Sequence, residues 1–514
     1  MTSKEFTISS PLVLSLEGIT KRFGKLVAND HLDLDLRRGE ILALLGENGA
    51  GKTTLMNILF GHYLQDEGVV RVAGVDGSLS LLPPGSPGAA LAAGIGMVHQ
   101  HFALAENLSA LDNIRLGTQG LLTFGGKAAA GRKVEQIIAE SGLEIDLHRR
   151  VASLTVGEKQ RVEILKALYR DVRVLILDEP TAVLTPQEAE GLFAVLRRLA
   201  ANGLGVIFIS HKLGEVLAVS DRIVVLRGGQ KAGELLTTQS DRRAIAEMMV
   251  GKSVAEVQRT SAQPSEALLQ FNHVNLRQGS TRQSLRDVSF RLRGGEIVGL
   301  AGVSGNGQAG IAALVSGLAV PDSGAVLLYG DPISRSDPRA LVAAGVGRMP
   351  EDRQHDGVVG TMSVADNIAI EDVRKPGLSR FGMLDRKAMR QRAVEAITAY
   401  DIRCPGPEAE ARLLSGGNVQ KLILARVLER GPRVILANQP TRGLDVGAQA
   451  EIHRRIIAAR DRGAAVLVIS EDLDELFALA DRFLVIHAGE VSDVGPSERL
   501  DRGAVGLLMA GQAA

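Results

Sequence analysis

Tryptophan is absent from this chain, and all aromatic residues together make up only 3% of it. A surface that stacks nucleic-acid bases on exposed rings is therefore poorly supplied. Lysine plus arginine number 59 and aspartate plus glutamate number 59, so the formal net charge is zero. With no excess of basic charge to draw in a polyanion, the balance argues against a nucleic-acid partner. Cysteine occurs once, as Cys404, which excludes an intrachain disulfide and suits a reducing compartment. Long apolar runs are missing too. The least charged stretches, from Gly74 to His99 and from Ala301 to Val320, are broken by Pro83-Pro84-Gly85 and by a glycine loop. A membrane-spanning helix needs about 20 predominantly apolar residues without such interruptions, so any membrane role has to come through a partner. Near the N-terminus, Lys4 and Glu5 precede alternating residues, which do not read as a signal peptide.

What is there is a phosphate loop, written twice. Gly46-Glu47-Asn48-Gly49-Ala50-Gly51-Lys52-Thr53 fits the pattern G-x-x-x-x-G-K-[ST]. It follows the apolar run Ile41–Leu45 and precedes Leu55-Met56-Asn57-Ile58-Leu59, the strand–loop–helix setting that the pattern requires. Its glycines let successive backbone N–H groups face phosphate oxygens, helped by the positive end of the following helix. Lys52 would reach the β- and γ-phosphates, and the Thr53 hydroxyl would bind Mg²⁺. The second copy is Gly302-Val303-Ser304-Gly305-Asn306-Gly307-Gln308-Ala309. It keeps the glycines but has lost the lysine charge to Gln308 and the hydroxyl to Ala309, so it should hold a Mg-nucleotide poorly.

The duplication extends along the chain. Arg37-Arg38-Gly39-Glu40-Ile41 recurs as Arg293-Gly294-Gly295-Glu296-Ile297, and Asp221-Arg222-Ile223 recurs as Asp481-Arg482-Phe483. Apolar strands alternate with amphipathic helices, which predicts α/β halves built on a largely parallel core sheet. The expected domains are residues 12–252 and 267–505, joined by the polar linker 253–266. Regions 105–170 and 362–430 read as a helical subdomain in each half. In the first half, the run Val174–Leu177 ends in Asp178-Glu179-Pro180. An acidic pair beside a phosphate loop suits metal binding by Asp178 and polarisation of the attacking water by Glu179. His211 ends a second apolar run, where an imidazole could meet the γ-phosphate, and Gln100 could sense metal and water. The second half has Asn438-Gln439-Pro440 for the acidic pair, Glu471 for His211, and Glu351 near the position of Gln100. Loss of all these groups together is better explained by one lost function than by scattered drift.

These motifs resemble the ATP-binding-cassette ATPases. The diagnostic element is the short signature between phosphate loop and acidic strand. It reads Leu414-Ser415-Gly416-Gly417-Asn418-Val419-Gln420 in the second half and, more loosely, Leu154-Thr155-Val156-Gly157-Glu158-Lys159-Gln160 in the first. The resemblance covers about residues 12–500. It implies two tandem P-loop cassettes, each with a mostly parallel core sheet, an antiparallel strand region and a helical subdomain. It also implies an intrachain pseudo-dimer in which each ATP lies between the phosphate loop of one half and the signature of the other. The intact site would then combine Gly46 to Thr54, Gln100, Asp178, Glu179 and His211 with Ser415, Gly416, Gly417 and Asp445, and Phe23 would stack on adenine unless it is a plain core contact. Thr53, Gln100 and Asp178 would hold Mg²⁺. The eroded site would combine the second loop with Thr155-Val156-Gly157, where Thr185 stands in place of Asp445.

Within that family the chain looks most like fused import ATPases for ribose-type sugars and for nucleosides. The segments His99-Gln100-His101-Phe102, Glu179–Pro186 and Gln439–Gly447 look closer to the nucleoside branch. The implied partners are two transmembrane permease subunits and an extracytoplasmic substrate-binding protein, with the chain peripheral on the cytoplasmic face of the cell membrane. Two rivals have other chemistry: a non-transport tandem cassette acting on ribosomes or nucleic acid, and a nucleotide-dependent switch without turnover. A short linker and zero net charge weigh against the first, and Glu179 with His211 against the second.

Overall fold

The computed structural model describes residues 10–99, 102–118, 126–181, 184, 186–210, 212–251, 262–277, 284–380, 383–509 and 511. The chain divides into two compact units, Met1–Val254 and Ala255–Ala514.

The first unit begins with β1 (Leu12–Phe23), β2 (Leu26–Arg37), β3 (Ile41–Gly46), α1 (Lys52–Leu59), β4 (Glu67–Ala73) and β5 (Leu79–Leu81). It continues through α2 (Pro87–Ala92), β6 (Ile95–Val98), α3 (Ala110–Arg115), α4 (Gly126–Ser141), α5 (Val156–Leu168) and β7 (Val174–Asp178). It ends with α6 (Pro186–Ala201), β8 (Gly205–Ile209), α7 (Leu213–Val219), β9 (Arg222–Arg227), β10 (Gln230–Leu236) and α8 (Arg242–Val250). Two sheets result. An antiparallel sheet has the order β2-β1-β4-β5, and a core sheet has the order β10-β9-β3-β8-β7-β6. The core sheet is parallel apart from the edge hairpin β9–β10. Strands β3 and β8 are buried at every residue, as expected of parallel strands covered on both faces. Leu14, Leu16 and Leu34 of the antiparallel sheet pack with Leu42, Leu44, Ile176 and Ile207 of the core sheet and with Leu55 and Met56 of α1. That shared core fixes the loop between β3 and α1 against both sheets.

The second unit repeats the plan. Ala267–Leu276, Leu285–Arg293, Ser323–Leu328 and Asp331–Pro332 form the antiparallel sheet. Val346–Met349, Val434–Asn438, Ala465–Ser470, Ile297–Ala301 and Arg482–His487 form the parallel core sheet, with Glu490–Pro496 antiparallel at its edge. The helices Val364–Ala369, Arg386–Ala399 and Gly416–Leu428 occupy the predicted helical region, as α3, α4 and α5 do in the first unit. The last helix, Arg502–Met509, buries Val505 and Met509, so the folded chain extends past residue 505, where the sequence reading ended it.

The recurring Gly-Glu-Ile and Asp-Arg segments turn out to be one staple. The Ile41 N–H donates to Asp221 at 2.8 Å, and Arg222 Nε donates to the fully buried Glu40 at 2.6 Å. Ile297 and Arg482 make the same bonds to Asp481 and Glu296, each at 2.8 Å. In both units the pair ties the start of the loop-bearing strand to its neighbour. A buried carboxylate needs such a partner, because desolvation alone would push its proton affinity up.

Candidate functional site

In the first unit the phosphate loop leaves β3 at Gly46, whose φ is 153°, and passes Gly49 and Gly51 at φ 85° and 98°. A Cβ on Gly51 would lie 2.3 Å from the Ala28 carbonyl oxygen, so only glycine lets the loop press this closely on β2. Asn29, fully buried, donates to the Gly51 carbonyl at 3.1 Å and holds that approach. Lys52 opens α1, and its Nζ donates to the carbonyls of Gly46 at 2.6 Å and Glu47 at 3.1 Å. The ammonium thus lies over its own loop. Asn48, Gly49 and Thr53 are exposed, while Ala50 and Gly51 are buried beneath them.

The acidic pair arrives on the neighbouring strands. β8 lies between β3 and β7, and Asp178 pairs with Ile209 at the carboxyl ends of β7 and β8. Ligands of open parallel sheets bind at such an edge. Burial pushes the Asp178 carboxyl above its ordinary range, the Glu179 charge adds to this, and Lys52 and His99 oppose it. Glu179 adopts φ 47°, a left-handed conformation that costs a non-glycine residue about 1 kcal/mol, and its N–H donates to the Ile209 carbonyl at 2.9 Å. Gln439 repeats both features in the second unit, with φ 50° and a 2.8 Å bond to Ile469. The second unit has the same strained turn without the carboxylate that it presents in the first unit.

Glu215 was not singled out from sequence. It accepts hydrogen bonds from the hydroxyls of Thr181 at 2.5 Å and Ser210 at 3.0 Å, and it pairs with Lys212 at 3.3 Å. Thr181 follows Glu179-Pro180 and Ser210 follows β8, so one carboxylate ties the segment after β7 to the end of β8. Glu475 does the same with Thr441 and Ser470 in the second unit. Its recurrence in the repeat was the available signal.

The second unit gathers its replaced residues around one cavity of about 270 Å³, lined by Gln308, Ala309, Glu351, Asn438, Gln439 and Glu471 together with loop glycines. Gln308 Oε1 accepts from the Asn306 N–H at 3.0 Å, and its Nε2 donates to the Val303 carbonyl at 2.9 Å. A loop N–H that could face a phosphate is thereby held by an uncharged side chain.

The two signatures also differ in kind. Thr155 and Glu158 close the N-terminus of α5 with a reciprocal capping box: the Glu158 N–H donates to Thr155 Oγ1, and the Thr155 N–H donates to the Glu158 carboxylate at 2.7 Å. That carboxylate stands where an anion would otherwise be welcome. Val156, exposed, adds a side chain where the other signature has glycine. In the second unit Ser415 makes no capping bond to the helix backbone; its hydroxyl accepts instead from the Asn418 side chain at 2.9 Å. The first turn, Gly416 and Gly417, is left uncapped by side chains.

The ABC transporter pattern matches residues 29–182 and again 285–442. The chain belongs to the ABC transporter family. Its two ABC cassettes align end to end with curated relatives. A nucleoside import ATP-binding protein of Lactococcus lactis is 42% identical, over 98% of this chain and 99% of its own. A glucose import ATP-binding protein of Haloferax volcanii is 43% identical, over 97% and 96%. A guanosine import ATP-binding protein of Bacillus subtilis is 41% identical, over 97% of each chain. Members of this kind are ATPases coupled to transport. An archaeal ribosome recycling factor, solved with a ribosomal stalk protein, superposes with a TM-score of 0.62 over 93% of this chain and 90% of its own, at 20% identity. That likeness shows the fold alone.

Within the first ABC cassette, Gly46 to Thr54, Asp178 and Glu179 are placed by β3, α1 and β7 at one sheet edge. Gln100, His211 and Thr185 lie outside the described residues. Phe23 is 44% exposed and meets Tyr63 edge-on at 5.6 Å, which sets aside the reading of a plain core contact. Asp445 caps its own helix, accepting from the Ala448 N–H at 2.8 Å. Among the described residues no helix is long and apolar enough to cross a membrane.

Proposed function

We propose that this chain hydrolyses ATP at one composite site to power import of nucleosides through a pair of membrane permeases. The observation that carries the one-site reading is the pairing of losses. The first unit keeps Lys52, Thr53, Asp178 and Glu179 but has a signature capped by Glu158, whereas the second has the replaced loop and an uncapped signature. In a head-to-tail arrangement the intact parts meet at one ATP and the closed parts at the other. The Thr53 hydroxyl and the Asp178 carboxylate are hard oxygen donors that fit Mg²⁺, and the half-buried Asp178 carboxyl, raised by desolvation and the Glu179 charge, favours having a cation beside it. When bound, Mg²⁺ would neutralise charge on the β- and γ-phosphates. Lys52 adds a second positive charge there, the loop N–H groups orient the phosphates, and Glu179 takes the proton of the attacking water. His211 would steady the γ-phosphate. Ser415 with the amides of Gly416 and Gly417 would close the site from the other unit. Ala309 and Asn438 do not fit a metal in the second loop.

The cargo rests on similarity to the nucleoside and guanosine import proteins. The glucose import relative is as similar, so a sugar is the competing cargo. Permeases and an extracytoplasmic binding protein, with the chain peripheral on the cytoplasmic face, complete the assembly. Uptake of labelled uridine, adenosine and ribose in cells lacking this chain tests the cargo. Lost nucleoside uptake with normal ribose uptake is expected, and the reverse pattern would assign a sugar.

A further inference from the structure

The segment after Met349 carries a connection to the signature helix. The stretch from Met349 to Ser363 is longer than that from Val98 to Ser109, and it coils into a single turn over Arg353–Gly357. Asp352 starts that turn, its carboxylate accepting from the N–H groups of Gln354 at 3.0 Å and His355 at 2.9 Å. Arg353 reaches two carbonyls distant in sequence. Its Nη1 donates to Gly416 at 3.2 Å and its Nη2 donates to Arg442. Gly416 is the first residue of the signature helix, and Arg442 stands in the turn between Gln439-Pro440 and Asp445. Arg442 in turn pairs with Glu351 at 2.8 Å. Three stretches of the second unit therefore meet at one guanidinium. Its rigid fork of donors suits two carbonyls at once, which a single ammonium matches poorly. Burial and the nearby Arg442 charge both lower the Arg353 pKa, so the side chain keeps these contacts at an electrostatic cost.

We propose that Arg353 is a positioning residue for ATP hydrolysis, holding the signature turn Ser415–Gly417 and the Arg442 turn in register with the segment after Met349. This rests on the reading that the second unit's signature completes the working site. Movement of Glu351–Gly357 would be passed to the signature amides through this guanidinium. A misplacement of about 1 Å at a reacting centre costs roughly 10²-fold in rate. Loss of the guanidinium acts on turnover, because ATP itself is held by the first unit's loop.

The test compares the full chain, assembled with its membrane partners, as Arg353→Ala, Arg353→Lys and Ser415→Arg. Each is measured for kcat and KM with MgATP and for thermal unfolding. Arg353→Ala is expected to lower kcat roughly ten- to hundredfold, with KM and unfolding temperature near wild type, and Arg353→Lys to restore part of kcat. Wild-type kcat in Arg353→Ala beside abolished turnover in Ser415→Arg would overturn the proposal and leave the composite site standing. A kcat loss matched by a fall in unfolding temperature, with no rescue by lysine, would overturn it too. Normal turnover in Ser415→Arg would bring down the composite reading and this proposal with it. If Arg353→Ala does not fold, Arg353→Gln, which keeps one amide donor, is judged by the same outcomes.

Discussion

Glu179 and Gln439 occupy the same strained conformation after equivalent strands, and only one of them can take a proton. Glu179→Gln should therefore reduce phosphate release by roughly 10²–10⁴-fold, while Gln439→Ala should leave it near wild type. Steady-state phosphate release from the assembled complex measures both. Lys52→Ala should weaken MgATP binding as well as turnover, read by equilibrium nucleotide binding, because it removes the charge poised over the loop carbonyls. Restoring Gln439→Glu alone should gain nothing, since Gln308, Ala309 and Asn438 would still lack phosphate and metal ligands. At this scale the phosphate loop and the acidic pair were legible as local patterns, and the fold sets them at the carboxyl ends of β3 and β7. Glu215 was not legible in the same way. Its partners Thr181 and Ser210 lie on different strand ends, and only the order β3-β8-β7 brings them to one carboxylate.

Elements were legible where apolar runs coincided with buried strands, as at Ile41–Leu45 and Val174–Leu177. The domain end expected at residue 505 falls inside the helix Arg502–Met509, whose buried Val505 and Met509 sit among glycines and follow a polar turn. The closed N-terminus of α5 carries its own prediction. Thr155→Ala should cost about 1 kcal/mol of stability by removing a helix cap, without loss of turnover. The Glu158 carboxyl is held below its usual range by the Thr155 N–H, with burial opposing and Arg149 assisting. A depressed carboxyl pKa means that its contribution is present above the ordinary carboxylate range and is lost as pH falls through the lowered value. Thermal unfolding of Glu158→Gln should therefore differ from wild type at neutral pH and converge with it in strong acid. A difference that persists in acid would show that packing, not charge, closes this end.

For the whole molecule, the proposed composite site predicts that the purified chain hydrolyses ATP poorly until membrane partners are present, because each loop would then act only with the signature of the other unit. Glu106, 69% exposed at its side chain and paired with Lys159 at 3.0 Å, lies on the segment that links the phosphate site to the helical region. Glu106→Lys should reduce recovery of the chain with permease-bearing membranes, measured by co-sedimentation. Asp366, the equivalent choice in the second unit, is a poorer reporter, because it is bound to Ser363 and Arg386 within its own helical region. The tandem plan was legible from the repeat itself, whereas the cargo is not written in residues that bind only ATP. The central claim is that one of two phosphate loops works. Its most direct test is the count of MgATP trapped per chain in the Glu179→Gln complex after free nucleotide is removed. One trapped ATP, abolished by Lys52→Ala and by Ser415→Arg but not by Gln308→Ala, is the predicted result. Two ATP per chain, or trapping that depends on Gln308, would contradict it.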